Sequence, residues 1–236
     1  MKNPRLNVYI SHAGYCSRRK ADELIKDGEV TINHAVQKNP AYAVGEKDTV
    51  RHKKKVIKPG TTSFVYLALN KPVGCVTSAS DEKNRVTVVD LLGKKIKARV
   101  FPIGRLDIKT NGILLLTNDG ELSNKLAHPK FNVKKVYQVV LSQDLSPAHL
   151  LKIKHGLFLK DGPLKVDAIS QAMQKNNIRV ILHSGKNRIV RRIFESLGYT
   201  IRKLTRLNFA GITARGLNEG EWRYLTSSEI KKIKAL

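Results

Sequence analysis

Residues 101–119 read FPIGRLDIKTNGILLLTND, and this stretch decides how the rest of the chain is interpreted. A turn-prone segment containing Gly104, Arg105 and Asp107 lies between a short apolar run and the continuous apolar run at residues 113–116. The second run predicts a buried strand, so Arg105 and Asp107 are expected on a loop at its edge. Loops held by rigid strands are where catalytic groups tend to lie. Asp107 by itself also fits an ordinary turn residue that binds its own backbone.

The chain carries a large excess of positive charge. Among its 236 residues, 44 Lys and Arg stand against 19 Asp and Glu, which gives a formal net charge of +25. Such an excess attracts polyanions and favours nucleic acid as the partner. A membrane surface is the competing polyanion, but the sequence has neither a long basic amphipathic helix nor an apolar run of about 18 residues. The charge therefore indicates a protein that binds RNA or DNA and no membrane.

Two features of the sequence indicate the cellular compartment in which the protein is found. Only Cys16 and Cys75 occur, too few to form a disulfide framework, so a reducing interior suits the chain. The first ten residues, MKNPRLNVYI, lack the apolar core of a signal peptide. We therefore expect a cytoplasmic protein.

The chain is predicted to form two domains, residues 1–60 and residues 61–236, in keeping with its length. In the first, a short helix is followed by a second helix for which Ser17 is the predicted N-cap, and short strands come next. Residues 51–63, RHKKKVIKPGTTS, combine a charge run with Pro-Gly and show no periodicity. They are predicted to be the linker between the domains.

In the second domain, strands and helices do not alternate in strict order. Strands are predicted at residues 64–69, 100–101, 113–116, 133–141, 165–168 and 177–183. A helix capped by Ser146 is predicted to end near His155, and an amphipathic helix to begin at Asn187 and end at Gly198. We therefore predict an α+β fold: a small front module of helices and strands, then a mixed, largely antiparallel sheet with flanking helices.

Two segments resemble known families. The run GRLDIKTNGILLLTNDG at residues 104–120 resembles the signature of the pseudouridine synthases, and more closely the branch that acts on small- and large-subunit ribosomal RNA. The segment RLNVYISHAGYCSRRKADELIKDGEVTINH at residues 5–34 is similar to a small RNA-binding module of a small-subunit ribosomal protein and a bacterial tyrosyl-tRNA synthetase. The resemblance extends from Arg5 to about Ile230.

The first resemblance implies three catalytic residues. Asp107 is the carboxylate that acts at the glycosidic carbon or assists loss of the base. Arg191, in the run HSGKNRIVRR at residues 183–192, is the cation that pairs with it and favours its charged form. Tyr137 is the strand tyrosine whose ring stacks on the target base and whose hydroxyl is a candidate for handling the C5 proton. A strand tyrosine is ordinarily a half-buried core residue, and Tyr137 can fill both roles.

The resemblance also implies RNA contacts. Arg105 is expected to occupy the place that the extracted base vacates, and the other cations are expected to contact RNA: Arg18, Arg19 and Lys20 in the front module, and Lys186, Arg188 and Arg192 in the second domain. A solvated surface is the alternative for all six. Residues 178–206 contain eight Lys and Arg but only one acid, Glu195, which favours contact with a polyanion.

The implied reaction breaks the bond from ribose to N1 of uracil and forms a bond to C5 of the same base. Nothing is oxidised and no group is transferred, so we expect no cofactor and no metal. The sequence contains no GxxxxGK[ST] loop and no paired-Cys metal spacing, and its seven His residues are scattered.

The leading interpretation is a site-specific pseudouridine synthase of ribosomal RNA. Its C-terminal run GLNEGEWRYL favours the large subunit, and the small subunit is the alternative. An RNA-binding or ribosome-assembly protein that no longer uses its catalytic site, and a polyanion binder that acts through charge alone, are the competing hypotheses. The expected partner is ribosomal RNA or a ribosome-assembly intermediate, and the expected protein is a monomer.

Overall fold

A computed structural model describes residues 3–58 and 63–236, and it has the predicted α+β fold. The chain divides into two compact units that meet in sequence between Phe64 and Val65. Each unit has hydrophobic clusters of its own. The predicted boundary between residues 60 and 61 lies outside the described residues. Among those that are described, no helix is long and apolar enough to cross a lipid bilayer.

The front unit is built from two helices and a four-stranded sheet in the order β2-β1-β3-β4. Its elements are α1 Leu6–His12, α2 Arg18–Lys26, β1 Val30–Ile32, β2 Ala35–Val36, β3 Val50–His52 and β4 Lys55–Val56. As predicted, Ser17 caps α2: its hydroxyl accepts a hydrogen bond from the Lys20 backbone N–H at 3.1 Å. The apolar face of α2 is buried against α1 and the sheet.

The prediction of a linker at residues 51–63 is wrong for its first half. Residues 50–56 form the β3–β4 hairpin, and Ile57 is 3% exposed within the front core. The charge run belongs to the hairpin turn, where Lys53 has a left-handed φ of 53°. Val50 and Ile57 bury their side chains at either end of the hairpin. The lysines between them are therefore exposed to solvent while the backbone of the hairpin stays attached to the front core. Residues 59–62 of the predicted linker lie outside the described part.

The second unit is organised around a mixed sheet in which neighbouring strands run in the order β11-β12-β8-β13-β7-β5-β15. Only the β13–β7 pair of this path is parallel among the described residues. The strands of the second unit are β5 Tyr66–Lys71, β6 Phe101–Pro102, β7 Asn111–Thr117, β8 Lys135–Leu141, β9 Leu157–Leu159, β10 Gly162–Leu164, β11 Ala168–Gln171, β12 Asn177–Leu182, β13 Ile201–Phe209, β14 Ile212–Thr213 and β15 Trp222–Tyr224. Of these, β9 and β10 form a separate two-stranded sheet.

Helices cover both faces of this sheet. They are α3 Gly120–Ala127, α4 Pro147–His155, α5 Ile189–Glu195 and α6 Ser227–Ala235, with 3₁₀ turns at Asp90–Lys95 and Pro129–Phe131. Strand β7 directs Leu114 and Leu116 towards the cluster that contains α4 and α5. It directs Ile113 and Leu115 towards the cluster that contains α3 and α6. Burial on both faces explains why β7 is a continuous apolar run rather than an alternating one.

Several predicted boundaries differ from the structure by one or more residues. The strand predicted at residues 64–69 is β5, which runs to Lys71, and Phe64 is 58% exposed. The strand predicted at residues 165–168 begins at Ala168. Helix α5 begins at Ile189 rather than Asn187, because Arg188 has a left-handed φ of 49° that no helical residue adopts.

Candidate active site

Asp107 lies on the loop between β6 and β7, and strands hold this loop at both ends. The Ile103 N–H donates to the Leu115 carbonyl at 2.8 Å, and the Thr110 N–H donates to the Asp107 carbonyl at 3.0 Å. Leu106 packs into the core, whereas the Asp107 side chain is 38% exposed. The loop therefore presents a carboxylate to solvent on a fixed backbone, as the sequence predicts.

The side chain of a buried lysine binds backbone carbonyl groups of this loop. Lys71, at the end of β5, has no exposed surface, and its Nζ donates to the Thr110 carbonyl at 3.0 Å and to the Pro72 carbonyl at 2.8 Å. The Asp107 carbonyl lies 3.4 Å from the same Nζ. Burial lowers the pKa of Lys71, and the nearby Cys75, Asp107 and Glu219 oppose that effect. These contacts give Lys71 a structural role at the loop that carries Asp107.

Arg191 approaches Asp107 from the first turns of α5. Its Nε lies 3.8 Å from Asp107 Oδ2, which is ion-pair distance but longer than a hydrogen bond. Its Nη2 donates to the Lys109 carbonyl at 2.7 Å and to Thr110 Oγ1 at 3.3 Å. One guanidinium thus contacts the carboxylate and also the backbone that follows it.

The Arg191 guanidinium is largely shielded from solvent. Its side chain is 9% exposed. Burial lowers the pKa of Arg191, the cation Arg188 lowers it further, and the carboxylates of Asp107 and Glu195 oppose both. A buried cation of this kind is stabilised by a neighbouring carboxylate.

Tyr137 lies on β8, on the face that it shares with Lys135 and Val139, and is 9% exposed. It packs in the core and also lines a cavity of about 280 Å³ together with Asp107 and Arg191. The three residues that the resemblance implied as catalytic therefore meet at one cavity. A cavity of this size is at the small end of those that enclose ligands.

The cations implied as RNA contacts fall into three groups. Arg105 is exposed and lines the cavity, as do Lys186 and Arg188. Each of the last two also has an acidic neighbour: Lys186 Nζ lies 3.6 Å from Asp161, and Arg188 Nη2 lies 2.9 Å from Glu195. Arg192 donates to both carboxylate oxygens of Asp161, at 2.7 and 3.1 Å, and joins α5 to the β9–β10 turn.

The third group belongs to the front unit. Arg18, Arg19 and Lys20 are all exposed on the first turn of α2, and Lys20 forms an ion pair with Glu23 at 3.0 Å. The first turn of a helix disfavours cations because the partial positive charge of the helix dipole is concentrated there. Arg18, Arg19 and Lys20 therefore lie where the helix dipole disfavours positive charge.

Two family models match this chain: RNA pseudouridylate synthase over residues 65–196 and the S4 domain over residues 4–50. The chain belongs to the RNA pseudouridylate synthase family. It is 42% identical over 238 residues to ribosomal large subunit pseudouridine synthase B of Bacillus subtilis (strain 168), with 98% of this chain and 96% of that protein covered. It is 34% identical to an uncharacterized RNA pseudouridine synthase of Aquifex aeolicus (strain VF5), with 99% and 94% covered.

A solved structure agrees with the sequence matches. The crystal structure of a pseudouridylate synthase superimposes with a TM-score of 0.71 at 27% identity and covers 98% of this chain and 99% of that one. The predicted family, the enzyme class and the RNA-binding module at the front are therefore confirmed. The protein is an RNA pseudouridine synthase with an S4 domain.

Sequence reasoning missed two cationic residues of the synthase cavity, Lys135 and Arg206. Lys135 is 9% exposed, and its Nζ donates to the His183 carbonyl at 2.8 Å and to the Val133 carbonyl at 3.1 Å. The sequence does contain a signal for Lys135, because lysine is rarely buried and this one lies on the apolar face of the alternating strand β8. Arg206 lies on β13, a strand that was not predicted, so its burial could not be anticipated.

The described part of the synthase contains no group of three or more His, Cys, Asp or Glu side chains arranged to hold a metal ion. The expectation that the enzyme uses no metal stays a prediction. A chelator is the direct test, provided that the folding of the RNA substrate is controlled.

Gly112 is required where β7 and β13 approach each other. A Cβ at this position would collide with the Arg206 carbonyl oxygen and come within 2.8 Å of the Arg206 nitrogen, and its φ is 105°. We expect Gly112→Ala to lower the free energy of unfolding by about 2–6 kcal/mol, since backbone strain and overpacking each contribute roughly 1–3 kcal/mol. Denaturant unfolding measures this.

Gly185→Ala is the matched control, because a Cβ there meets no atom within 4 Å. If Gly112→Ala were as stable as this control, the parallel β7–β13 pairing would not need the close approach seen here.

Proposed function

We propose that this synthase isomerises uridine to pseudouridine at a specific position of ribosomal RNA, and that the RNA is that of the large subunit. The catalytic part of this proposal rests on one observation: Asp107, Arg191 and Tyr137 line the same cavity. The name of the Bacillus subtilis relative and its 42% identity support the large-subunit target.

The proposed chemistry assigns one task to each of the three residues. Asp107 acts at the ribose carbon as the bond to N1 breaks, which requires the ionised carboxylate. Arg191 maintains that charge and its orientation, through the 3.8 Å contact and the hydrogen bonds to residues 109 and 110. Tyr137 stacks on the base while the base turns, and its hydroxyl takes the C5 proton.

The RNA is proposed to bind through cations around this cavity and on the front unit. Arg105 replaces the extracted base, because it is exposed next to Asp107 and lines the cavity. Lys186 and Arg188 contact phosphates at the cavity mouth. For Arg192, the paired contact with Asp161 supports a role in fixing α5 at least as well as an RNA contact. Arg18, Arg19 and Lys20 position the substrate through the phosphate backbone.

We propose that a monomer suffices, since one chain contributes all the residues named for the cavity. Because the proposed substrate is ribosomal RNA or an assembly intermediate, we place the enzyme in the cytoplasm. Mapping pseudouridines in both ribosomal RNAs with a carbodiimide adduct and primer extension, in cells with and without the protein, tests the proposal. Loss of one large-subunit site supports it. Loss of a small-subunit site gives the alternative target, and loss of no site favours a non-catalytic binder.

Removing residues 1–60 is expected to leave a folded and active catalytic unit. The clusters of the second unit contain no residue before Val65, so its core does not need the front unit. Apparent RNA affinity should fall on the order of ten-fold or more, with a shallower salt dependence, because phosphate contacts are lost. Single-turnover rates at increasing RNA concentration measure both quantities.

The matched control is the full chain with Arg18, Arg19 and Lys20 replaced by Ala, which should reproduce part of the affinity loss. An unchanged half-saturation point in the truncated protein would mean that the front unit does not bind substrate. A collapsed maximal rate with an intact fold would mean that it helps to organise the catalytic site.

A further inference from the structure

Arg206 lies directly across from Tyr137. In the antiparallel pairing of β13 with β8, these two residues face each other in register. Such cross-strand partners have Cβ atoms about 5 Å apart. Arg206 also pairs with Gly112 on β7, so its backbone is fixed between the Tyr137 strand and the strand that follows the Asp107 loop.

The Arg206 guanidinium is buried without a carboxylate partner among the described residues. The residue is 2% exposed, its Nε donates to the Ile113 carbonyl at 2.8 Å, and its guanidinium carbon lies 4.7 Å from the centre of the Phe209 ring. Its Nη2 has no hydrogen-bond partner within residues 3–58 and 63–236. Burial lowers the pKa of Arg206, and the Tyr137 hydroxyl opposes this effect. An arginine nevertheless stays charged.

A second cation lies close by. Lys135 Nζ is 5.8 Å from the centre of the same Phe209 ring. The pKa of Lys135 is lowered to about 8, mainly by burial and also by the neighbouring Arg206, whereas Asp167 opposes both effects. Two dehydrated cations beside one tyrosine are costly unless a negative charge develops near them. The Tyr137 hydroxyl, which faces Arg206 across the two strands, can take on such a charge.

We propose that Arg206 is a positioning residue for Tyr137: it holds the hydroxyl oxygen and stabilises the phenolate form that removes the C5 proton. This inference rests on the proposed function of Tyr137 and adds the group through which that function is achieved. The preorganised cation lies in a water-poor site, where its effect on a developing charge is large.

Tyr137 first loses its hydroxyl proton to solvent. After uracil has been reattached to ribose through C5, the C5–H bond breaks and its proton goes to the phenolate oxygen. The electron pair of that bond forms the C5–C6 double bond, the π pair of the intermediate's C6=N1 double bond moves to N1, and N1 takes a proton from water. Nothing is oxidised or reduced.

The test is a double-mutant cycle on single-turnover rates at saturating RNA, with Arg206→Gln and Tyr137→Phe. Arg206→Gln alone should slow isomerisation by about 100-fold, the lower end of what general acid–base catalysis contributes. In the Tyr137→Phe background it should cost almost nothing more, because it acts through the hydroxyl that is already absent. Additive losses would overturn the inference. Arg202→Gln, an exposed arginine on the same strand, is the control and should leave the rate unchanged.

A second readout separates proton removal from general disorder of the site. RNA with deuterium at C5 of the target uridine should react several-fold more slowly than normal RNA in Arg206→Gln, because C5–H cleavage limits that variant. An isotope effect no larger than that of the wild type would indicate a structural role and contradict the proposal. If Arg206→Gln does not fold, Arg206→Lys replaces it, with a smaller rate loss expected since the charge is retained. Failure of the proposed function looks different, because the wild-type protein would then isomerise no ribosomal RNA.

Discussion

Replacing Asp107 with Asn is expected to abolish isomerisation while RNA affinity stays within a few-fold of the wild type. The change keeps the size of the side chain and removes the negative charge that the chemistry needs. The loop should keep its shape, because Lys71 and the Thr110 N–H both bind the Asp107 carbonyl rather than its carboxylate. Single-turnover assays on a ribosomal RNA fragment, together with direct binding measurements, test both parts.

Asp144→Asn is the matched control, since Asp144 is an exposed residue outside the cavity and undergoes the same chemical change. It should leave both rate and affinity unchanged. Retention of about a tenth of the wild-type rate by Asp107→Asn would contradict its assignment, because a ten-fold loss corresponds to only about 1.4 kcal/mol of the barrier. A large loss of affinity would instead mean that Asp107 contributes to binding.

Replacing Arg191 with Leu is expected to reduce the rate by about 100-fold or more, the scale on which the loss of one preorganised donor is measured in enzymes. RNA affinity should change much less. Leu keeps an apolar stem in the core but removes the cation near Asp107 and the donors to Lys109 and Thr110. Asp107 would therefore lose both its charge partner and part of the backbone support of its loop. Single-turnover rates and binding isotherms separate the two effects.

Lys186→Ala is the contrasting variant from the same basic segment. The Lys186 side chain lines the cavity but is 41% exposed, and its Nζ donates to the Asp161 carbonyl at 3.1 Å besides its ion pair with the Asp161 carboxylate. We expect weaker RNA binding and a salt dependence that is shallower by about one phosphate contact, with little change in the rate at saturation. If Arg191→Leu affected mainly binding and Lys186→Ala mainly the rate, our division into catalytic and docking residues would be wrong.

Local sequence determined the elements whose signals are complete within one segment. Helix α2 was predicted from Ser17, because its capping bond closes within three residues. Strand β8 was predicted from a strict alternation, and the structure buries every second residue from Lys135 to Leu141. The Asp107 loop was predicted in the same way, from turn residues placed directly before an apolar run. In each case the physical cause is a short-range contact or a periodicity that one segment displays by itself.

Strand β13 and the residues around it could be assigned only from the tertiary structure. Its pairing with β8 shifts register twice, between Ile201 and Lys203 and between Arg206 and Asn208, so its side chains do not follow the two-residue period of a regular strand. The parallel contact of β13 with β7 joins residues that lie far apart in sequence. That contact makes Gly112 necessary and buries Arg206 opposite Tyr137. Register and close approach are properties of two strands together, so neither sequence segment could display them alone.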